Sequence, residues 1–178
     1  MKIKVELSEE AKNHPFSKDD PEYFLPKKKP GDAGFDLRAC IPEYYNLLDR
    51  TIHNLYYSAD VDEEYTIFGG SARAAALIPT GVKVSIQSPD IAAVVLPRSG
   101  LGHRDGIILG NSVGLIDSTY EKEIFISIWN RSITNFHFNA GDRLAQLVFL
   151  PIINPELELV QEIPDKLNRG GFGSTGVK

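Results

Sequence analysis

The 178-residue sequence has one cysteine, Cys40, so an intrachain disulfide is excluded and a reducing, cytoplasmic compartment is expected. It lacks any uninterrupted apolar run near the ~18 residues that a membrane helix needs, so no membrane span is expected. The opening MKIKVELSEEAK alternates charged and apolar residues without an apolar h-region, and so does not read as a secretory signal. Positive charge is also short. Nineteen Lys and Arg against 24 Asp and Glu give a formal net charge of −5, which argues against a general nucleic-acid binder with a basic face. Paired metal ligands are missing too, since His14, His53, His103 and His137 are scattered, with no two at ligand spacing.

What the sequence does have is an ordinary globular mixture, 42% hydrophobic and 24% charged, in a length that suits one domain with a sizeable core. Period-two patterns dominate it. Ile3, Val5 and Leu7 alternate with charged residues as an opening strand, and Phe35, Leu37 and Ala39 do the same. Further strands are expected at 72–78, 82–86, 92–96, 106–109, 123–129, 133–138, 143–150 and 156–160. Trp129 falls inside one of them and is expected in the core. Turn formers separate the strands: Pro79-Thr80-Gly81, Ser88-Pro89-Asp90, Asn130-Arg131-Ser132 and Asn139-Ala140-Gly141-Asp142. Many short strands at this spacing, with no internal repeat, predict an all-β jelly-roll barrel or sandwich.

Two stretches break the pattern. Over 42–58, Tyr45, Leu48, Ile52 and Leu55 recur at three- and four-residue steps, predicting one apolar stripe on a short amphipathic helix. The acidic run DVDEE at 60–64 follows as a loop. At the other end, 164–178 holds four glycines and few apolar residues and is expected to be mobile without a ligand.

Several segments carry chemistry. Pro97-Arg98-Ser99-Gly100-Leu101 follows an apolar strand: Pro ends it, Ser caps a short helical turn, and Gly lets backbone approach a ligand. Free N–H groups beside the Arg98 guanidinium suit phosphate oxygens. A capped turn with a surface arginine fits the same residues. In Gly110–Tyr120, two glycines bracket a hairpin-like bend before the carboxylate of Asp117, which suits proton abstraction from water. Asn111 carries both the donor and the acceptor that a pyrimidine edge requires, and Tyr120 offers a flat face. Asp and Asn beside Gly are also common turn residues, and spacing leaves both readings open. Gln146 is a lone amide on the apolar strand after Gly141-Asp142-Arg143, and needs a partner. The tail Arg169-Gly170-Gly171-Phe172-Gly173-Ser174-Thr175-Gly176 joins backbone amides, a cation and an aromatic.

Together these segments resemble the trimeric dUTPase family, bacterial type. Its five motifs occur in order as Ala33–Leu37, Pro97–Leu101, Gly114–Tyr120, Gly141–Gln146 and Gly170–Gly176. Any one is weak, but five in sequence over most of the chain are specific. The resemblance implies a jelly-roll β-domain over 1–163, with 41–66 as an insertion carrying the helix, and a glycine-rich lid over 164–178. It also implies a homotrimer with active sites between subunits.

The implied reaction is hydrolysis of dUTP to dUMP and pyrophosphate with Mg²⁺, which limits uracil in DNA and supplies dUMP for dTMP synthesis. By resemblance, Asp117 activates the attacking water. Arg98, Ser99, Gly100 and Gln146 contact the phosphates, and Arg169, Ser174 and Thr175 reach the outer ones from the lid. Asn111 and the backbone of Gly114, Leu115, Ile116, Asp117 and Phe125 read uracil. Tyr120 packs under the deoxyribose, and Phe172 closes over the base. Asp36 supports the hydrated Mg²⁺ from its outer shell.

The sequence departs from the family pattern in places. Lys122 stands where a glycine is usual and is expected to face solvent. The tail is shorter before its glycines, which makes Lys166 a competitor to Arg169. Two rivals are weighed. A dCTP deaminase of the same fold would need a carboxylate, typically Glu, beside the pyrimidine amine, and Asp117 with Tyr120 fits the hydrolase instead. The other rival is a regulator that binds a protein partner through the 42–64 insert.

Overall fold

The computed structural model describes residues 2–41, 55–58, 64–67, 69 and 75–164. Eleven strands run along them: β1 (Lys4–Leu7), β2 (Phe35–Arg38), β3 (Leu55–Ser58), β4 (Glu64–Ile67), β5 (Ala76–Ser85), β6 (Ile91–Pro97), β7 (Ile107–Leu109), β8 (Gly114–Ile116), β9 (Glu123–Asn130), β10 (Phe136–Phe138) and β11 (Arg143–Pro151). All pairings are antiparallel, in sheets ordered β1-β5-β9-β7, β2-β11-β6-β8 and β10-β4-β3. The expected all-β jelly-roll class is what forms.

One core joins the three sheets. In β9, Ile124, Ile126 and Ile128 point inward and are at most 1% exposed. Each such isoleucine stabilises the fold by roughly 1.5–3 kcal/mol. They meet Ile78 and Val82 of β5, Leu37 of β2, Val95 of β6, Leu147 of β11, and Ile67 and Phe138 of the third sheet. Phe125 and Trp129 take the opposite, half-buried face of β9. Trp129 is therefore not core: the period of two that was read correctly puts it out of phase with the isoleucines.

Several expected elements changed. Pro79-Thr80-Gly81 is not a turn but a bulge inside the continuous β5, where the pairing with β9 shifts between Pro79 and Lys83. Thr80 Oγ1 donates to the carbonyl of Ile124 at 2.6 Å, and the Gly81 amide donates to Glu123 Oε1 at 2.8 Å. Side-chain hydrogen bonds thus replace the interrupted ladder, and Gly81 takes φ +69°. Strand 133–138 shrinks to β10, because the buried Asn130 amide holds the preceding loop by donating to the carbonyls of Ile67 and Thr134.

Residues 156–160 form no strand. They have no ladder partner among the described residues, and Leu157 and Leu159 are 90% and 99% exposed. The end of the expected insert helix is a strand instead, since β3 pairs with β4 from Leu55↔Ile67 to Ser58↔Glu64. Glu64 of the acidic run therefore begins a strand. Tyr45, Leu48 and Ile52 lie outside the described residues.

A short helix, α1 (Glu9–Asn13), was not anticipated. Ser8 caps it by accepting from the Ala11 amide at 3.2 Å, and Glu9 and Glu10 favour its first turn electrostatically. It carries Ala11 onto Cys40 and Phe24 in a second, small apolar cluster.

Candidate active site

The phosphate-suited residues converge across one sheet. β11 lies between β2 and β6, so Gln146 is paired with Asp36 on one side and Leu96 on the other. Two residues beyond Leu96 the chain reaches Arg98 and turns. The Gly102 amide donates to the Arg98 carbonyl at 2.9 Å, and a π-helical turn over Leu101–Asp105 ends at Gly106, φ +72°. The first amides of such a turn have no partner within it. Arg98, Ser99, Gly100 and Gln146 line a cavity of about 280 Å³. Gly34 is what leaves room for Gln146, because a Cβ there would stand 3.1 Å from Gln146 Cβ and 3.3 Å from its Cδ.

Asp36 sits between two guanidiniums. Its Oδ1 lies 3.4 Å from Arg98 Nε, and its Oδ2 accepts from Arg143 Nη1 at 3.2 Å. Arg98 also donates through Nη1 to the carbonyl of Arg143 at 3.2 Å. The carboxylate thus orients both arginines, and their planar donors suit an anion. Arg143 was absent from the sequence-based set. Its place next to Gly141-Asp142, three residues before Gln146 across a bulge, was the available signal.

The second group stands on β8 and the turn after it. Ile116, 8% exposed, anchors this strand against β6, while Leu115 is 64% exposed. Asp117 is exposed, and its carbonyl accepts from the Tyr120 amide at 3.0 Å. The turn reading of Asp117 was thus correct for its backbone, while its carboxylate makes no hydrogen bond or ion pair among the described residues. The Tyr120 hydroxyl donates to the carbonyl of Glu123 at 2.8 Å, fixing the ring.

The Gly110–Gly114 segment differs from a paired hairpin. β7 pairs with β9 and β8 with β6, so the bend passes from one sheet to another. Ser112 takes φ +63° at its tip, and a Cβ on Gly114 would stand 3.1 Å from Val95 Cβ and 3.5 Å from Asn111 Nδ2. Phe125 is on the neighbouring β9. Arg169, Phe172, Ser174, Thr175 and Lys166 lie outside the described residues.

Strand register separates the two groups. Ala93 pairs with Ile116 and Val95 with Gly114, so Asp117 emerges at the start of β6 and Arg98 beyond its end. At about 3.3 Å per residue, roughly 20 Å of strand lies between them, more than their side chains span. Neither the Arg98 cavity nor the one around Asp36 is lined by Asp117, Asn111 or Tyr120. Within one chain the two groups stand apart.

No group of three or more His, Cys, Asp or Glu able to hold a metal occurs among the described residues. The donor set therefore fits a cation carried on phosphate oxygens and waters rather than a protein cage. Asp36 Oδ1 is buried without a hydrogen-bond partner, which leaves it acceptor capacity towards a metal-bound water.

Comparison with known proteins bears on these two groups. The dUTPase family model matches residues 57–176. A deoxyuridine 5'-triphosphate nucleotidohydrolase of Legionella pneumophila is 46% identical over 147 residues, covering 82% of each chain. A Staphylococcus bacteriophage 80alpha dUTPase mutant solved with dUpNHpp superposes with a TM-score of 0.68 at 22% identity, covering 99% of both chains. A mutant dUTPase of S. aureus phage phi11, described as coordinating a structural Mg(II) ion, gives 0.63 at 23% identity, covering 91% of this chain and 98% of that one.

Proposed function

The chain belongs to the dUTPase family, and on that premise we propose that it hydrolyses dUTP to dUMP and pyrophosphate, with Asp117 activating the water. The observation that carries this is the exposed, unpaired Asp117 carboxylate three residues before a fixed Tyr120. A carboxylate held next to an α-phosphorus takes a proton from water as it attacks in line, a contribution of roughly 10²–10⁴ in rate. The dUpNHpp complex of the phage relative supports the substrate class.

Charge on the leaving pyrophosphate falls to the other half-site. Arg98, the amides of Ser99 and Gly100, and Gln146 hold phosphate oxygens, and Asp36 keeps the two arginines aimed. Mg²⁺, when bound to the phosphates, would neutralise charge there, with Asp36 accepting from its water. Uracil sits against Asn111 and the backbone of Gly114, Leu115, Ile116 and Phe125. The Gly110–Gly114 bend would exclude a 5-methyl group. Tyr120 packs under the deoxyribose. Arg169, Ser174, Thr175 and Phe172 complete the site as a lid.

The two half-sites, roughly 20 Å apart along the strand, meet when Asp117 of one copy faces Arg98 of another. A closed homotrimer built by that repeated contact uses every half-site. The exposed apolar side chains of Leu115, Leu157 and Leu159 suit burial between copies. Product analysis with dUTP, dTTP, UTP and dCTP tests the reading. Only dUTP should yield a monophosphate and pyrophosphate at full rate, and Asp117→Asn should lose at least a hundredfold. Ammonia from dCTP, equal hydrolysis of dTTP, or an undiminished variant would refute it.

A further inference from the structure

The segment just before the first motif places three lysines beside the phosphate half-site. Lys27, Lys28, Lys29, Arg38, Arg98 and Arg143 line a cavity of about 420 Å³, against only Asp32 and Asp36 of opposite sign. A surplus of four positive charges in a chain of formal net charge −5 is a strong local reversal. Arg98 and Gln146 line both this cavity and the one around Ser99 and Gly100, so the two are continuous.

Most of these cations are already engaged. Lys27 Nζ is 3.2 Å from Asp20 Oδ2, Lys28 Nζ donates to the carbonyl of Asp32 at 2.6 Å and stands 5.0 Å over the Phe35 ring, and Arg38 donates to the carbonyl of Gly141 at 2.7 Å. Arg98 and Arg143 share Asp36. Lys29 differs. Its amide donates to Asp32 Oδ2 at 3.2 Å and its carbonyl accepts from the Asp32 amide at 3.1 Å, a turn completed by Gly31 at φ +91°. The backbone is fixed while the ammonium has no partner among the described residues.

We propose that Lys29 is a specificity-determining residue that binds the terminal phosphate of the nucleoside triphosphate, and with it the leaving pyrophosphate. The inference rests on the dUTP-hydrolase reading. A phosphate chain that begins on Arg98, Ser99 and Gly100 and runs on past Asp36 enters this basic cavity, and its last phosphate meets the one ammonium there that is not already paired. A diphosphate is one unit too short to gain the contact.

The test compares wild type with Lys29→Gln and Lys29→Arg. For Lys29→Gln, KM for dUTP should rise about three- to tenfold with kcat within twofold, the range expected of one partly solvated ion pair. Competitive inhibition by dUDP should be unchanged, and Lys29→Arg should restore KM. Calorimetry with inorganic pyrophosphate, which needs no turnover, should show the same weakening in Lys29→Gln. An unchanged KM, or dUDP inhibition weakened as much as dUTP binding, would overturn the proposal. Should wild type fail to hydrolyse dUTP, the activity reading falls while the pyrophosphate titration still decides the role of Lys29.

Discussion

Replacing Gly81 by alanine should destabilise the fold through both its backbone and its packing. The residue is buried in the β5 bulge at φ +69°, and an added Cβ would stand 2.5 Å from Ala11 Cβ and 3.0 Å from Cys40 Sγ. The left-handed backbone costs an L-residue about 1–2 kcal/mol, and overpacking of a tight site adds about 1–3 kcal/mol. A total of about 2–5 kcal/mol would lower the urea midpoint on the order of 1–2 M without changing the slope. The two parts can be separated. Ala11→Gly in the Gly81→Ala background removes the nearest contact, so the double-mutant cycle should return the packing part and leave the backbone part. A Gly81→Ala protein within about 0.5 kcal/mol of wild type, or one that Ala11→Gly does not help at all, would refute the argument.

Two more outcomes follow from the same region and from the site. Burial raises the Cys40 thiol from 9.0 to about 12, so the folded state keeps its proton after an unfolded chain has lost it. Stability is therefore intact below pH 9 and falls by about 4 kcal/mol as pH rises towards 12; Cys40→Ala should flatten that slope in pH-dependent denaturation. Gly34→Ala should cost about 1–3 kcal/mol of stability and, in the protein that still folds, lower kcat/KM for dUTP roughly tenfold by shifting Gln146, read by steady-state kinetics beside a thermal melt.

Much of this was legible in the sequence because the signals were local. Alternation over 123–129 predicted the strand that forms over Glu123–Asn130, and the isoleucines at its even positions became the core. The same alternation, followed one step further, would have turned Trp129 outward. Pro79-Thr80-Gly81 misled because a proline and a glycine also make a bulge, and the acceptor Glu123 that stabilises it comes from another strand. Ser8-Glu9-Glu10 was a readable helix start that the strand pattern before it obscured. At the proposed site, the segments around Arg98 and Gln146 drew attention to those two residues, but Arg143 was passed over. Its role depends on cross-strand proximity to Asp36, which no spacing within one segment reveals. Residues 156–160 alternate as a strand should, yet they pair with no strand among the described residues.

Mixing inactive variants decides whether each site is built from two chains. Asp117→Asn and Arg98→Ala proteins, each confirmed as trimers by sizing, are unfolded together at equal amounts, refolded, and assayed with dUTP. If Asp117 and Arg98 act from different copies, random assembly restores both native groups in about a quarter of the sites, and activity returns to about a quarter of wild type. If both groups act from one chain, no mixed site has the pair, and activity stays at the sum of the two variants.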